Sequence, residues 1–410
     1  MKTWLDILLE ATKEAESPER YFWWSGLCAI ASVVKKKVYM QRGAFYKLYP
    51  NIYVALVSAR SGLRKGIPIS LIKGLIQELD EVRVISGCNS IQGLIKELSM
   101  QKTFKSGAVV SEAQGILLSD EFESFITEDP RALTYLTALH NTHEHEAEWT
   151  KMLRNSPTEQ LKSPCLTLLV ASNEALFSSM VKQKDIEGGF IARTFIVHES
   201  KRKKVNSLLY TDEEITKILE EDKVYRDLLL CRLRIISKLN GKMTFTSEAA
   251  KYYESWYQEL AVTNIEDKTG TYDRLGDQVI KVAMLIALSC HDELVITKDD
   301  LELAIEKSEE CLLGVKSIAL ETEKGDVNPI IEKVLKILLK SEEHKVTRQK
   351  LLIITHIEAI ILDRALDTLI QRGAIYEPKR NEKKQIYYEL TEETYQSYMK
   401  FKVQENGRVN

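Results

Sequence analysis

The stretch NIYVALVSARSGLRKGIPISLIKG, Asn51 to Gly74, decides how the chain is read. Asn51 to Val57 is a run of β-branched and aromatic side chains, the composition of a short buried strand. Ser58 to Gly66 is small, polar and basic, and from Ile67 the apolar residues fall at helical spacing with Pro68 in the first turn. Strand, glycine-containing turn and helix in that order outline a phosphate-binding loop, where backbone N–H groups and the positive end of the helix face an anion. Lys65 stands where such a loop places its phosphate-reaching lysine, with Gly62, Arg64 and Gly66 around it as candidate phosphate contacts. Aligned on Lys65, the pattern G-x-x-x-x-G-K-[ST] meets Ala59, Arg64 and Gly66 at its first glycine, second glycine and hydroxyl. The lysine alone is kept, so the rest of the chain has to say whether a nucleotide site surrounds it.

Downstream the pattern alternates in the α/β manner: helix Ile67 to Leu79, extended Val82 to Ile85, helix Ile91 to Leu98, then candidate strands from Gly107 and Gly115. The second of these, GILLSDE, ends in Asp120 and Glu121. An apolar strand delivering Asp-Glu at its C-terminal end matches a magnesium-supporting aspartate followed by a glutamate that activates water. A chance pair of acids after a strand is the alternative. A third apolar strand, Cys165 to Ala171, ends at Asn173, placed either to orient a water or simply to cap the helix Glu174 to Val181. Arg193 precedes one more strand, Thr194 to His198, and a guanidinium there suits a finger spreading positive charge over a neighbouring subunit's γ-phosphate.

Four parts are expected: a helical lead-in at 1–50, an α/β core at 51–206, a helical lid at 207–325 and a small C-terminal domain at 326–410. In the lead-in, Tyr21, Trp23, Trp24 and Cys28 read as core. The lid holds an apolar helix from Asp273 whose first turn carries Arg274, either a residue folding over the nucleotide or a capping arginine. The last part reads helix, helix, helix, then two strands around a charged loop, which is winged-helix order. Lys379, Arg380, Lys383 and Lys384 at the wing tip are candidate phosphate contacts to DNA. With 12 Lys+Arg against 10 Asp+Glu over 326–390, a protein-binding winged helix is the alternative.

Composition narrows the class. A chain of 410 residues, 44% hydrophobic and 29% charged, with only 8 prolines and 18 glycines, is expected to fold into more than one compact domain without long linkers. The net charge of -3 conceals the basic runs Lys35 to Lys37 and Lys201 to Lys204, which face either an anionic partner or solvent. Six scattered cysteines with no C-x-x-C pair give neither a zinc ribbon nor a disulfide framework, and no apolar run is long enough for a membrane span. The N-terminus reads as an amphipathic helix rather than a signal peptide, so a soluble cytoplasmic protein is expected. His140, His143 and His145, with Glu144 and Glu146, match no established zinc spacing and are read as a polar loop.

Six segments together carry a resemblance: SPERYFWWSGLCAIASVV, YPNIYVALVSARSGLRKG, ILLSDEFESFI, CLTLLVASNEALFSSM, IEGGFIARTFIV and DRLGDQVIKVAMLIAL. From about Ser17 to Ile318 the chain resembles the ATPase-like proteins of phages, plasmids and other mobile elements, which are related to AAA+ and minichromosome-maintenance-like helicases. The resemblance implies a P-loop NTPase core of AAA+ type with an α-helical lid and a winged helix. It implies ATP and Mg²⁺ as cofactors, a homo-oligomeric ring of hexamer type, single-stranded or forked DNA, and a primase or polymerase partner. Residue by residue it places phosphate contact on Lys65, metal support on Asp120, catalysis on Glu121, sensor 1 on Asn173, the finger on Arg193 and sensor 2 on Arg274. One departure stands out: Gly66, Ile67 and Pro68 follow the lysine where a magnesium-binding hydroxyl is expected. Ser61 and Ser70 are the nearest substitutes, with Ser70 about one helical turn too far, and Arg64 is a cation able to neutralise phosphate directly. The expected activity is an ATP-dependent DNA helicase or translocase; the alternatives are an adaptor that assembles without turnover and a transcriptional regulator.

Overall fold

The computed structural model describes residues 2–396 except 45, 60, 81, 89, 105, 108, 128, 130, 141–147, 152–158, 181–188, 207–208, 264–269, 324–326 and 382–383. The chain divides into two units, Met1–Thr322 and Glu323–Asn410. In chain order the first unit begins with helices α1 (Trp4–Ala11) and α2 (Glu19–Val34), strands β1 (Val38–Arg42), β2 (Tyr46–Leu48) and β3 (Tyr53–Ser58), helix α3 (Gly66–Ile76), β4 (Val84–Ser86) and α4 (Ile91–Ser99). There follow the small hairpin β5 (Lys102–Thr103) and β6 (Val109–Val110), β7 (Gln114–Ser119), α5 (Phe122–Thr127), α6 (Ala132–His140), and a second hairpin, β8 (Glu148–Lys151) and β9 (Glu159–Lys162). The unit closes with β10 (Cys165–Asn173), α7 (Glu174–Met180), β11 (Thr194–Glu199), α8 (Asp212–Ile236), β12 (Gly241–Phe245), α9 (Ser247–Thr263), α10 (Thr271–Cys290), β13 (Val295–Ile296) and α11 (Lys298–Glu323).

The central sheet has the order β11-β3-β10-β7-β4, with every pairing parallel. Numbered along the chain, its strands run 5-1-4-3-2, so β10 is inserted between the strand that precedes Lys65 and the strand that precedes Asp120. All six residues of β3 are buried, because parallel sheets covered by helices on both faces leave no wet side. Side chains alternate between the two faces. Val54 and Leu56 join a core with α1, α2, α3 and α10, whereas Tyr53, Ala55 and Val57 join a second core with α4, α5 and α6. Tyr21, Trp23, Trp24 and Cys28 are buried in the first of these. The strand expected from Gly107 is only the short β6, paired with β5 outside the central sheet.

The lead-in and the lid are joined by a second sheet, β13-β12-β1-β2, in which Val38 pairs in parallel with Gly241. The region 207–325, expected to be helical, is so among its described residues apart from connecting turns and these two short strands, β12 and β13. Its main helix, α10, packs against α2 within the same core, and Trp4 donates its indole N–H to the Leu229 carbonyl of α8 at 3.0 Å.

The second unit contains α12 (Val327–Lys340), β14 (Lys345–Thr347), α13 (Arg348–Thr355), α14 (Ala359–Gln371), β15 (Lys379–Arg380) and β16 (Ile386–Glu389). The strands form an antiparallel sheet of order β14-β16-β15. Val334, Leu338, Leu351, Leu362, Leu366 and Leu369 form its own core. Strand β14 was not expected, since Lys345 to Thr347 is too short and too polar for a period-two pattern to show.

Candidate nucleotide site

The C-terminal ends of β3, β7 and β10 lie side by side, since Ser58 is in register with Asn173 and Ser119 with Val170. The loop after β3 climbs through a short 3₁₀ turn, Ser61–Leu63, into α3. Arg64, at the position of the pattern's second glycine, has φ +54°, in the left-handed region that a glycine occupies without cost. Its backbone carbonyl accepts from Ser17 Oγ at 2.9 Å, which holds the turn in place. The Arg64 side chain turns away from the loop to Glu16, Nε to Oε2 at 3.2 Å.

Lys65 points back to the end of β3 and donates to Ser58 Oγ at 2.6 Å. Burial lowers its pKa, and the Glu123 carboxylate opposes that shift. Glu123, in the first turn of α5, accepts from Ser172 Oγ at 2.6 Å and from the Asn173 backbone N–H at 3.4 Å. Asp120 also reaches the loop: a Cβ built on Gly66 would lie 3.9 Å from its Oδ2. Lys65, Ser58, Asp120, Glu123 and Ser172 therefore gather at one edge of the sheet, next to the N-terminus of α3.

Of the expected residues, Lys65, Gly66 and Asp120 meet here. Glu121 is exposed beside Asp120, while the carboxylate tied to Lys65 and Ser172 belongs to Glu123. Asn173 caps α7, its Oδ1 accepting from the Leu176 N–H at 3.2 Å. Ser70 is exposed on α3, and the Ser61 side chain lies outside the described residues. Gly62 lies against Arg202, which belongs to the basic run after β11: a Cβ there would stand 2.7 Å from Arg202 Nη2. Arg202 and Arg64 both approach Glu16, at 3.7 Å and 3.2 Å. In the same basic run, Lys203 pairs with Glu19 at 2.9 Å and Lys204 with Glu14, so much of the run faces the acids of the lead-in.

Arg193 and Arg274 lie elsewhere. Arg193 precedes β11, whose first residue is in register with Tyr53, the first of β3. It thus lies at the opposite edge of the sheet from Lys65, roughly 16 Å away along the strand at ~3.3 Å per residue. Arg274 joins it there: a Cβ on Gly189 would lie 2.4 Å from Arg193 Nη1 and 3.7 Å from Arg274 Nε. Burial, reinforced by Arg274, lowers the Arg193 pKa to about 10. Within one chain these two arginines meet each other and not the Lys65 loop.

His140 is buried, its ring edge-on to Tyr53 with centroids 4.8 Å apart, while His143 and His145 lie outside the described residues. Among the described residues no group of three or more His, Cys, Asp or Glu is arranged to hold a metal. The Lys65 edge offers oxygen donors only, from Asp120, Glu123, Ser58 and Ser172, a set that suits a hard cation arriving with a nucleotide and its own waters.

In the second unit, Lys379 and Arg380 are exposed on β15 and Lys384 on the turn that follows; Lys383 is outside the described residues. Lys379 Nζ lies 3.4 Å from Glu389 Oε2 and over the Tyr376 ring. Among the described residues no helix is long and apolar enough to cross a membrane. Compared with models of known protein families and with curated proteins, the chain matches none.

Proposed function

We propose that the chain is an AAA+-like ATPase that works as a homo-oligomeric ring on DNA. The observation that carries this reading is the convergence of Lys65, Asp120 and Glu123 at the C-terminal edge of a sheet ordered 5-1-4-3-2. ATP phosphates would lie against the α3 N-terminus and Lys65. Magnesium, which supplies charge neutralisation on the phosphates when bound, would be held from Asp120. Glu123, oriented by Ser172, is the carboxylate positioned to take a proton from water, with the exposed Glu121 as the competing candidate. Arg193 and Arg274 could serve a phosphate of this kind only from a neighbouring copy.

The helix order and the β15–β16 hairpin of the second unit support a winged helix, whose Lys379, Arg380, Lys383 and Lys384 would touch DNA phosphates. A second reading, an adaptor that assembles on DNA without turnover, is favoured by Gly66 in place of the hydroxyl and by Arg64 held on Glu16. The deciding experiment is ATP hydrolysis with and without single-stranded DNA. Stimulated turnover that is lost in Lys65→Ala supports the enzyme, whereas DNA binding with no turnover supports the adaptor.

A further inference from the structure

The edge of the sheet opposite Lys65 opens into a cavity of about 280 Å³ between β2, the turn before β11 and the start of α10. Its walls carry Lys47, Arg193, Arg274 and Lys281 against the carboxylates Asp273 and Asp277. Asp277 is already engaged, by Arg42 Nε at 3.4 Å and by the Tyr46 hydroxyl at 2.7 Å. Lys281 is only 6% exposed, and two of its N–H donors go to Asn51, to the carbonyl at 3.1 Å and to Oδ1 at 3.0 Å. Gln278, also 6% exposed, gives its N–H to the Arg193 carbonyl at 3.2 Å, while its buried Oε1 accepts from no group among the described residues. A buried acceptor without a donor is costly, so a ligand that supplies one is favoured.

We propose that this cavity binds a phosphoryl dianion, with Arg193, Arg274 and Lys281 around its oxygens and Gln278 Oε1 accepting a hydrogen from it. Inorganic phosphate carries that hydrogen on its own hydroxyl; a 5′-terminal phosphate of RNA is accompanied by the 2′-hydroxyl of the adjoining ribose, which supplies it. Arg193 gives Nη1 to the Gly189 carbonyl at 2.8 Å and adds charge, the planar Arg274 guanidinium matches phosphate oxygens in a pair, and the cationic excess of the walls matches a double negative charge. The site is separate from the Lys65 loop and does not rest on ATP turnover there.

Calorimetric titration of the full-length protein with inorganic phosphate tests it. In the Lys65→Ala background, which removes the loop as a competing phosphate site, the cavity is expected to bind phosphate, Arg274→Ala about tenfold more weakly, and Arg274→Lys in between. Sulfate, which has no hydrogen to give Gln278, is expected to bind about fivefold more weakly than phosphate. Competition then distinguishes the sources. Displacement by a 5′-phosphorylated oligoribonucleotide but not by its unphosphorylated form assigns an RNA terminus, and displacement by neither assigns a small phosphate. Equal displacement by both overturns the proposal, as does binding that is lost in Lys65→Ala but kept in Arg274→Ala, or no binding to wild type. Absence of ATPase activity would leave these outcomes unchanged, so the two readings fail separately.

Discussion

Ser172 Oγ donates a 2.6 Å hydrogen bond to Glu123 Oε1, which fixes a carboxylate at the tip of β10 within the field of Lys65. A carboxylate tied to a hydroxyl beside the Lys65 loop is oriented before any substrate arrives. Glu123→Gln is therefore expected to lower ATP turnover by about a hundredfold, the usual size of a lost general base. Steady-state assays of Glu123→Gln and Glu121→Gln in parallel check this. A loss confined to the Glu121 variant would return the role to the residue directly after Asp120.

Gly66→Ser is expected to raise turnover. A Cβ at Gly66 would meet nothing within 4 Å except Asp120 Oδ2 at 3.9 Å, so a serine fits without a clash and puts a hydroxyl beside the carboxylate. One added oxygen ligand should improve magnesium-dependent ATP hydrolysis about tenfold, comparable with a charged hydrogen bond. A magnesium titration of both proteins reads the change, and an unaltered curve would count against metal support from Asp120.

Glu16 pairs with Arg64 and with Arg202, whose guanidinium also lies against Gly62, and so neutralises two cations beside the loop. Glu16→Gln should release them toward a bound phosphate and tighten nucleotide binding about fivefold at low salt, with the gain fading as salt screens it. Fluorescent nucleotide titrations at two ionic strengths would show this. Weaker binding would mean that Glu16 instead holds the loop in its binding shape.

Burial lowers the Lys281 pKa to about 8 from an unfolded value near 10.5. A lysine whose folded pKa is depressed destabilises the fold while it must stay charged, a cost fully present below pH 8 and removed as pH rises through 10.5. Between those values the unfolded chain holds more protons, so this contribution to stability increases with pH. The increase should be about 3 kcal/mol at ~1.4 kcal/mol per pKa unit. Denaturant unfolding of wild type and Lys281→Met at pH 7.5 and pH 10 isolates it, since the methionine variant lacks that rise.

The central strands were legible because their burial on both faces leaves near-continuous apolar runs, as in YVALVS and CLTLLVAS. The lysine and Asp120 could be located from those strands alone, since each follows a strand end. Glu123 could not, because its contact with Ser172 depends on where α5 begins and how it turns, although the second glutamate in DEFE was a signal within reach. The meeting of Arg193 with Arg274 and the pairing of Val38 with Gly241 join residues about eighty and two hundred positions apart. Local periodicity carries no information about contacts at that separation. Asn173 shows the opposite case, where the local rule for helix caps described its side chain well.

Strand β1 lies between β2 and β12, so the N-terminal segment and the helices after β11 share one hydrogen-bonded ribbon. A rotation of α10 toward the Lys65 edge would drag α1 and α2 with it, or else shear the β1–β12 ladder. The first fifty residues are thus bonded to the segment after β11, and neither can be displaced without carrying the other or breaking that ladder.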